Sequence, residues 1–334
     1  MARQCRASVP RMNPAFSVLI FTTLSGAGFG LWAWLGLRIA FGGGPVEFQG
    51  LGWILLLSCA GIAVAVGLLA SFWHLGKPLR AWRAFSQWRT SWLSREGVLA
   101  VACFIPAAGL RMLLVQGTSS AIAPMTRVVA GLLAVTSLAT VACTAMIYAS
   151  LKPIPAWRHR LVVPGYILFA LLTGGLPMLL STWPGAGGFD GALPWLLAAI
   201  ALALLVLKLA YWRDIDRAHL PQSRGDAIGL PGRRASVFER PHTEANYITR
   251  EMAFEVARRH ASALRIASVL LFAGLPLLCL FALGQATAGW PVPVAIGSAM
   301  QVDDSFACSY REYGAQFHRG VKPREVLLYW GGDE

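Results

Sequence analysis

Leu51-Gly-Trp-Ile-Leu-Leu-Leu-Ser-Cys-Ala-Gly-Ile-Ala-Val-Ala-Val-Gly-Leu-Leu-Ala-Ser-Phe-Trp73 carries no charged side chain along its whole length. At about 1.5 Å rise per residue, a helix of this length crosses a hydrocarbon core of about 30 Å. It is apolar on every side, so it offers water no polar face. Comparable runs lie at residues 15–40, 97–116, 128–150, 161–181, 192–212 and 263–284. Together they predict an all-α fold, a polytopic transmembrane helix bundle with seven clear spans. An eighth stretch, Gly289 to Met300, holds Pro291 and Pro293 near its start and turns polar at Gln301. It is too short to span alone. The expected organisation is a bundle over residues 1–300 and a divergent C-terminal tail over 301–334.

Composition agrees: 56% of the residues are hydrophobic and 13% charged, against about a quarter charged in soluble domains. The net charge of +13 does not describe a nucleic-acid-binding face, because the basic residues sit in short segments between apolar runs. All but five of the 29 Lys and Arg fall at the N-terminus, in the 74–96 and 151–160 loops, in segment 213–262 and in the tail. Of the five, Arg127 lies in an intervening loop. Arg38, Arg111, Lys208 and Arg265 lie in or at the ends of spans, where they can snorkel. Cytoplasmic loops hold the Lys and Arg excess. The alternation therefore predicts a bacterial inner-membrane protein with its N-terminus and 74–96 loop in the cytoplasm, and both termini there if an eighth crossing precedes the tail. Arg3, Arg6 and Arg11 resemble the start of a signal peptide, but the run that follows is too long for one and reads as a retained first span.

Segment 213–262 is the one long cytoplasmic insert. It ends in a helix-like stretch where Tyr247, Met252, Phe254 and Val256 alternate with Arg250, Glu251, Glu255, Arg258 and Arg259. Such a pattern reads as an interfacial amphipathic helix or as a docking surface for a partner. The six cysteines are scattered, without a CxxC pair, and encode neither a disulfide scaffold nor a cysteine-ligated iron–sulfur cluster.

The chemistry concentrates between the second and third spans, in Ser71-Phe-Trp-His74-Leu-Gly-Lys77-Pro-Leu-Arg80-Ala-Trp and Ser91-Trp-Leu-Ser94-Arg95-Glu96-Gly. His74 closes one apolar run and Glu96 opens the next. A membrane quinone needs an apolar slot, polar partners for two carbonyl oxygens and a proton route. His74 and Glu96 supply titratable groups, Lys77 and Arg80 favour the anionic reduced form, and Trp73, Trp82, Trp88 and Trp92 offer walls. Each residue taken singly is equally an interfacial anchor, and Glu96 at a helix start suits the dipole.

The string His74-Leu-Gly-Lys-Pro-Leu-Arg80-Ala followed by Ser94-Arg-Glu96 resembles the dimethyl sulfoxide reductase membrane-anchor family, whose HLGxPxRA and SxE elements stand at this spacing. Asn246-Tyr247-Ile-Thr-Arg250-Glu251-Met252 is similar to a cytoplasmic motif of longer members, and the likeness covers about residues 12–285. The resemblance implies an eight-helix anchor without haem, binding menaquinone or ubiquinone. It also implies an iron–sulfur electron-transfer partner wired to a molybdopterin catalytic subunit. It assigns quinone binding and proton exchange to His74 and Glu96, and with them Arg80. Lys77, Trp92 and Ser94 are supporting candidates by proximity, and Tyr247, Arg250 and Glu251 are candidates for partner docking. Two departures stand out. The basic-residue count places the His74 loop in the cytoplasm, as in cytoplasm-facing sulfite-oxidising complexes, where electrons run into quinone; the alternative is S-oxide reduction with quinol oxidation. The polar stretch from Val302 to Glu325 replaces the usual last span, through a divergent tail or a locally altered reading frame.

Three other functions compete. A transporter would use Arg111 and Lys208 to line a path, but paired broken helices in matching halves are missing. A scaffold that tethers soluble proteins without touching quinone leaves the loop motif unexplained. A haem cytochrome needs paired axial ligands, and of the six histidines only His74 adjoins the end of a clear span.

Overall fold

The computed structural model describes residues 14–41, 51–72, 78–116, 123–151, 156–181, 193–217 and 260–285. The described residues are helical with no strand. The order is α1 (Pro14–Ala40), α2 (Leu51–Phe72), a 3-10 helix (Pro78–Gln87), α3 (Trp92–Ala102), α4 (Phe104–Gln116), α5 (Ala123–Ala149), α6 (Val162–Ser181), α7 (Leu193–Arg217) and α8 (Ala261–Val269), then a π-helical turn (Leu270–Gly274) and α9 (Leu275–Gln285). Seven of these helical stretches are long and apolar enough to cross a membrane, with α3–α4 and α8–α9 each forming one crossing. The expected all-α transmembrane bundle is therefore what the chain forms. The candidate eighth stretch, the tail and most of the cytoplasmic insert lie outside the described residues.

The third crossing begins at Trp92 rather than Gly97. This puts Glu96 within the first turns of the helix. The crossing breaks at Cys103, three residues before Pro106, whose missing N–H and bulky ring disturb the preceding turn. The π-helical turn in the last crossing likewise stands just before Pro276.

Helix α1 is the hub and packs against α2, α5 and α6. Small residues allow this. A side chain on Gly30 would collide with the backbone of Ala170, and one on Gly174 would collide with the backbone of Gly30 and Leu31. The α1 and α6 backbones thus touch, as small-residue interfaces in membranes permit. Indole N–H groups add directional ties: Trp32 donates to the Leu57 carbonyl at 3.0 Å and Trp34 to the Leu171 carbonyl at 2.7 Å. The core around them joins Trp32, Leu35, Leu110, Leu133, Leu172, Leu197 and Leu204, all nearly inaccessible. Large apolar side chains such as Leu55, Ile62, Ile105, Val128, Trp195 and Val206 face outward. In water this would be unstable; against lipid tails it is the favourable arrangement.

Candidate functional site

Glu96 is 5% exposed, held inside the bundle where α3 packs on α5. An ionisable group in that position needs a partner. Thr144, near the C-terminal end of α5, donates its hydroxyl to Glu96 Oε1 at 2.6 Å; the Thr140 carbonyl, 3.1 Å away, is a second and longer acceptor. Thr136, Thr140 and Thr144 recur every fourth residue, so they share one helix face. Thr140 Oγ1 lies 3.4 Å from Cys103 Sγ at the α3–α4 break.

The segment before Glu96 folds back onto α3. Ser94, 2% exposed, donates its hydroxyl to the Ala84 carbonyl of the 3-10 helix. Arg95 donates from Nε to the Trp88 carbonyl at 3.0 Å and from Nη2 to the Arg89 carbonyl at 2.6 Å, with its guanidinium 4.3 Å from the Trp92 ring centre. Ser94, Arg95 and Trp92 therefore fix how the loop enters the crossing, and so where Glu96 points. Arg80 is exposed on the first turn of the 3-10 helix, and among the described residues no hydrogen bond joins it to Glu96. Trp82 and Trp88 are exposed, with the Arg83 and Arg89 guanidinium groups 5.6 Å from their ring centres. They form an outer aromatic and basic surface. His74, Lys77, Tyr247, Arg250 and Glu251 lie outside the described residues.

One cavity reaches Thr144, the partner of Glu96, and a second shares the Tyr166 and Phe169 side of the first. The first lies between α1, α5 and α6 and is lined by Thr22, Ser25, Thr144, Thr173, Tyr166 and Phe169, among others. Three of its hydroxyls bond within their own helices: Thr22 donates to Val18 at 3.0 Å, Ser25 to Phe21 at 2.6 Å and Thr173 to Phe169 at 2.9 Å, all backbone carbonyls one turn back. The second lies between α5, α6 and α7 and includes Tyr148, Trp157, Tyr166, Phe169, Lys208 and Tyr211. Tyr166 and Phe169 form the wall between the two.

The starts of α3 and α6 and the ends of α5 and α7 converge here, at one end of the bundle. Lys208 does not snorkel outward as its place near the end of α7 suggests. It is 6% exposed, with Nζ 5.3, 5.7 and 5.8 Å from the ring centres of Tyr211, Trp212 and Phe169. Attraction to the ring faces offsets part of the cost of burying the ammonium. Arg111, by contrast, is exposed and donates to Ser58 Oγ at 2.7 Å.

Sequence reasoning missed Thr144, Tyr166 and the inward turn of Lys208. The fourfold spacing of threonines in α5 was the available signal for the first. Nothing local announces the other two, because their setting is made by helices far apart in the chain. Among the described residues, no three of His, Cys, Asp and Glu gather as a metal site requires.

Comparison with known proteins converges on one family. Residues 12–291 match the family described as DMSO reductase anchor subunit (DmsC). A relative from Allochromatium vinosum, named as a subunit of sulfite dehydrogenase, is 31% identical over 288 residues, which is 80% of this chain and 85% of that protein.

Proposed function

Because the chain belongs to the DMSO reductase anchor subunit family, a family of membrane anchors of molybdoenzyme complexes, we propose that it binds quinone and exchanges electrons with an iron–sulfur partner subunit. That partner connects it to a molybdopterin catalytic subunit. The observation that carries this reading is the buried Glu96 carboxyl, bonded to Thr144, which itself lines a cavity within the bundle. Quinone reduction takes up two protons with two electrons. A carboxyl at the inner edge of a lipid-accessible bundle is placed to pass protons between the ring and the aqueous side. Aromatic walls and hydroxyl groups suit a flat ring with polar ends.

His74 joins Glu96 in this reading through the sequence motif, at the link between α2 and the 3-10 helix. Arg80, Lys77, Trp92 and Ser94 support the site, and Tyr247, Arg250 and Glu251 dock the partner. The chain resides in the bacterial inner membrane with its N-terminus and the His74 loop in the cytoplasm. A relative named for sulfite dehydrogenase and that orientation both favour sulfite oxidation with quinone reduction over S-oxide reduction.

The test is to recover the tagged chain from detergent-solubilised native membranes, assay molybdenum and iron, and measure sulfite-dependent reduction of decylubiquinone. Both metals and sulfite activity are expected. Glu96→Gln should retain the metals and lose activity by at least about a hundredfold, the scale of a positioned acid–base group. Stable wild-type protein without either metal would refute the assignment, and full activity in the variant would remove Glu96 from it.

A further inference from the structure

The cavity between α5, α6 and α7 opens on one side. Its chemistry is directional. At one wall Tyr148 and Tyr166 stack, with ring centres 5.8 Å apart and planes 24° from parallel, and Trp157 meets Tyr148 edge-on at 5.2 Å. The Tyr211 hydroxyl donates to the Ala156 carbonyl at 3.1 Å, pinning the 156–161 turn beside the opening. The buried Lys208 ammonium lies at another wall. Beyond Tyr166 the neighbouring cavity between α1, α5 and α6 leads to Thr144, and Thr144 holds Glu96.

Resting on the quinone reading above, we propose that the quinone headgroup seats in this α5–α6–α7 cavity, with the Lys208 ammonium donating a hydrogen bond to one carbonyl oxygen and Tyr166 standing between the ring and the Glu96 carboxyl. A benzoquinone or naphthoquinone has flat apolar faces and an acceptor at each end of the ring. The cavity offers aromatic faces to the first and a cationic donor to the second. A buried cation also favours the anionic forms that appear as electrons arrive. A phospholipid phosphate, the other anionic amphiphile of the bilayer, is commonly held by clusters of basic side chains, whereas Lys208 is the one basic side chain among the described residues lining this cavity. Glu96 serves proton exchange from beyond the Tyr166 wall.

Photolabelling separates these assignments from turnover. Native membranes holding the full complex are irradiated with short-tailed azido-benzoquinone and azido-naphthoquinone. Labelled peptides are mapped, and the decylubiquinone concentration that halves labelling is measured. Labelling is expected within 148–169 and 207–212. Lys208→Met should raise the halving concentration about tenfold, the equivalent of one lost charge-assisted hydrogen bond. Gly165→Leu provides a test that leaves the charge in place. A Cβ at this position meets only Leu207, at 3.5 Å, so a longer side chain fills space from the cavity wall and should weaken competition similarly. Glu96→Gln should keep wild-type labelling while losing turnover. Labelling confined to other peptides, or unchanged competition in both cavity variants, overturns the placement. If Glu96→Gln still loses turnover in that case, the quinone reading survives it. Loss of retained phosphatidylglycerol in Lys208→Met with unchanged quinone competition would overturn the placement in favour of a lipid. Absence of saturable labelling anywhere refutes both.

Discussion

At the scale of single residues, the Glu96–Thr144 bond is the most consequential contact. It joins the start of one crossing to the end of another at 2.6 Å, and an intramolecular hydrogen bond contributes about 0.5–1.5 kcal/mol. Thr144→Val keeps the side-chain shape and removes the donor. Quinone-linked turnover should fall about tenfold or more, with assembly retained, and a Thr144→Ser variant should recover most of the loss. Equal activity in all three proteins would reduce the bond to packing. Glu96 was legible in the sequence because a charge just before an apolar run is conspicuous. Thr144 was not: a threonine within a span reads as one more small residue until the fold shows which helix faces it. Lys208 misled for a related reason. Its position near the end of a run fits snorkelling equally well, and only the rings of Tyr211, Trp212 and Phe169 show that it turns inward.

At the scale of elements, run length and hydropathy located all seven crossings, because the bilayer imposes a length that local sequence must satisfy. Their ends were less legible. The third crossing gains a polar first turn, Trp92 to Glu96, since the 3-10 helix supplies partners for Ser94 and Arg95. Two predictions belong here. Gly30→Leu should collapse the yield of folded protein, because overpacking where α1 and α6 backbones meet typically costs about 1–3 kcal/mol or more. Gly26→Ala, where an added Cβ meets nothing within 4 Å, should be tolerated; comparing folded yields by detergent size-exclusion checks both. The second concerns the 156–161 turn. His159 Nε2 lies 3.5 Å from Asp214 Oδ2, which Arg160 and Arg213 also approach at 3.8 and 3.3 Å, and the His159 ring meets Tyr211 edge-on. Burial pushes the His159 pKa below its usual 6.5, outweighing the pull of Asp214 in the other direction. A histidine that resists protonation when folded contributes stability above its unfolded pKa, and this is lost as pH falls through about 6.5 toward the lower folded value. Thermal unfolding in detergent should therefore show stability dropping as pH falls below about 6.5, with a shallower slope in His159→Gln.

At the scale of the whole molecule, topology is the quantity on which the proposed direction of electron flow rests. The basic residues predict that the starts of α3 and α6 and the ends of α5 and α7 face the cytoplasm, and the structure brings these same ends together around Glu96 and Lys208. Membrane-impermeant thiol labelling can check the orientation. In a background with the native cysteines replaced, Ser86→Cys and Ser150→Cys should react only in inside-out vesicles, and Phe41→Cys and Gln116→Cys only in right-side-out ones. The reverse pattern would turn the complex to the periplasm and favour S-oxide reduction.

The hub position of α1 bears on how the protein is made. It is the least apolar of the seven crossings and the one, with α6, whose surface is most enclosed by other helices. Yet it leaves the ribosome four crossings ahead of the α6 backbone it must touch. While it waits in lipid its interior face has no protein to meet. The hydroxyls of Thr22, Thr23 and Ser25, each bonded to a carbonyl one turn back in α1 itself, ease that wait, whereas the Trp32 and Trp34 indole N–H groups meet their carbonyls only when α2 and α6 arrive. Biogenesis of this chain is thus a matter of sheltering an early helix for late partners, and its dependence on insertion factors should be set by α1 rather than by the more apolar spans that follow.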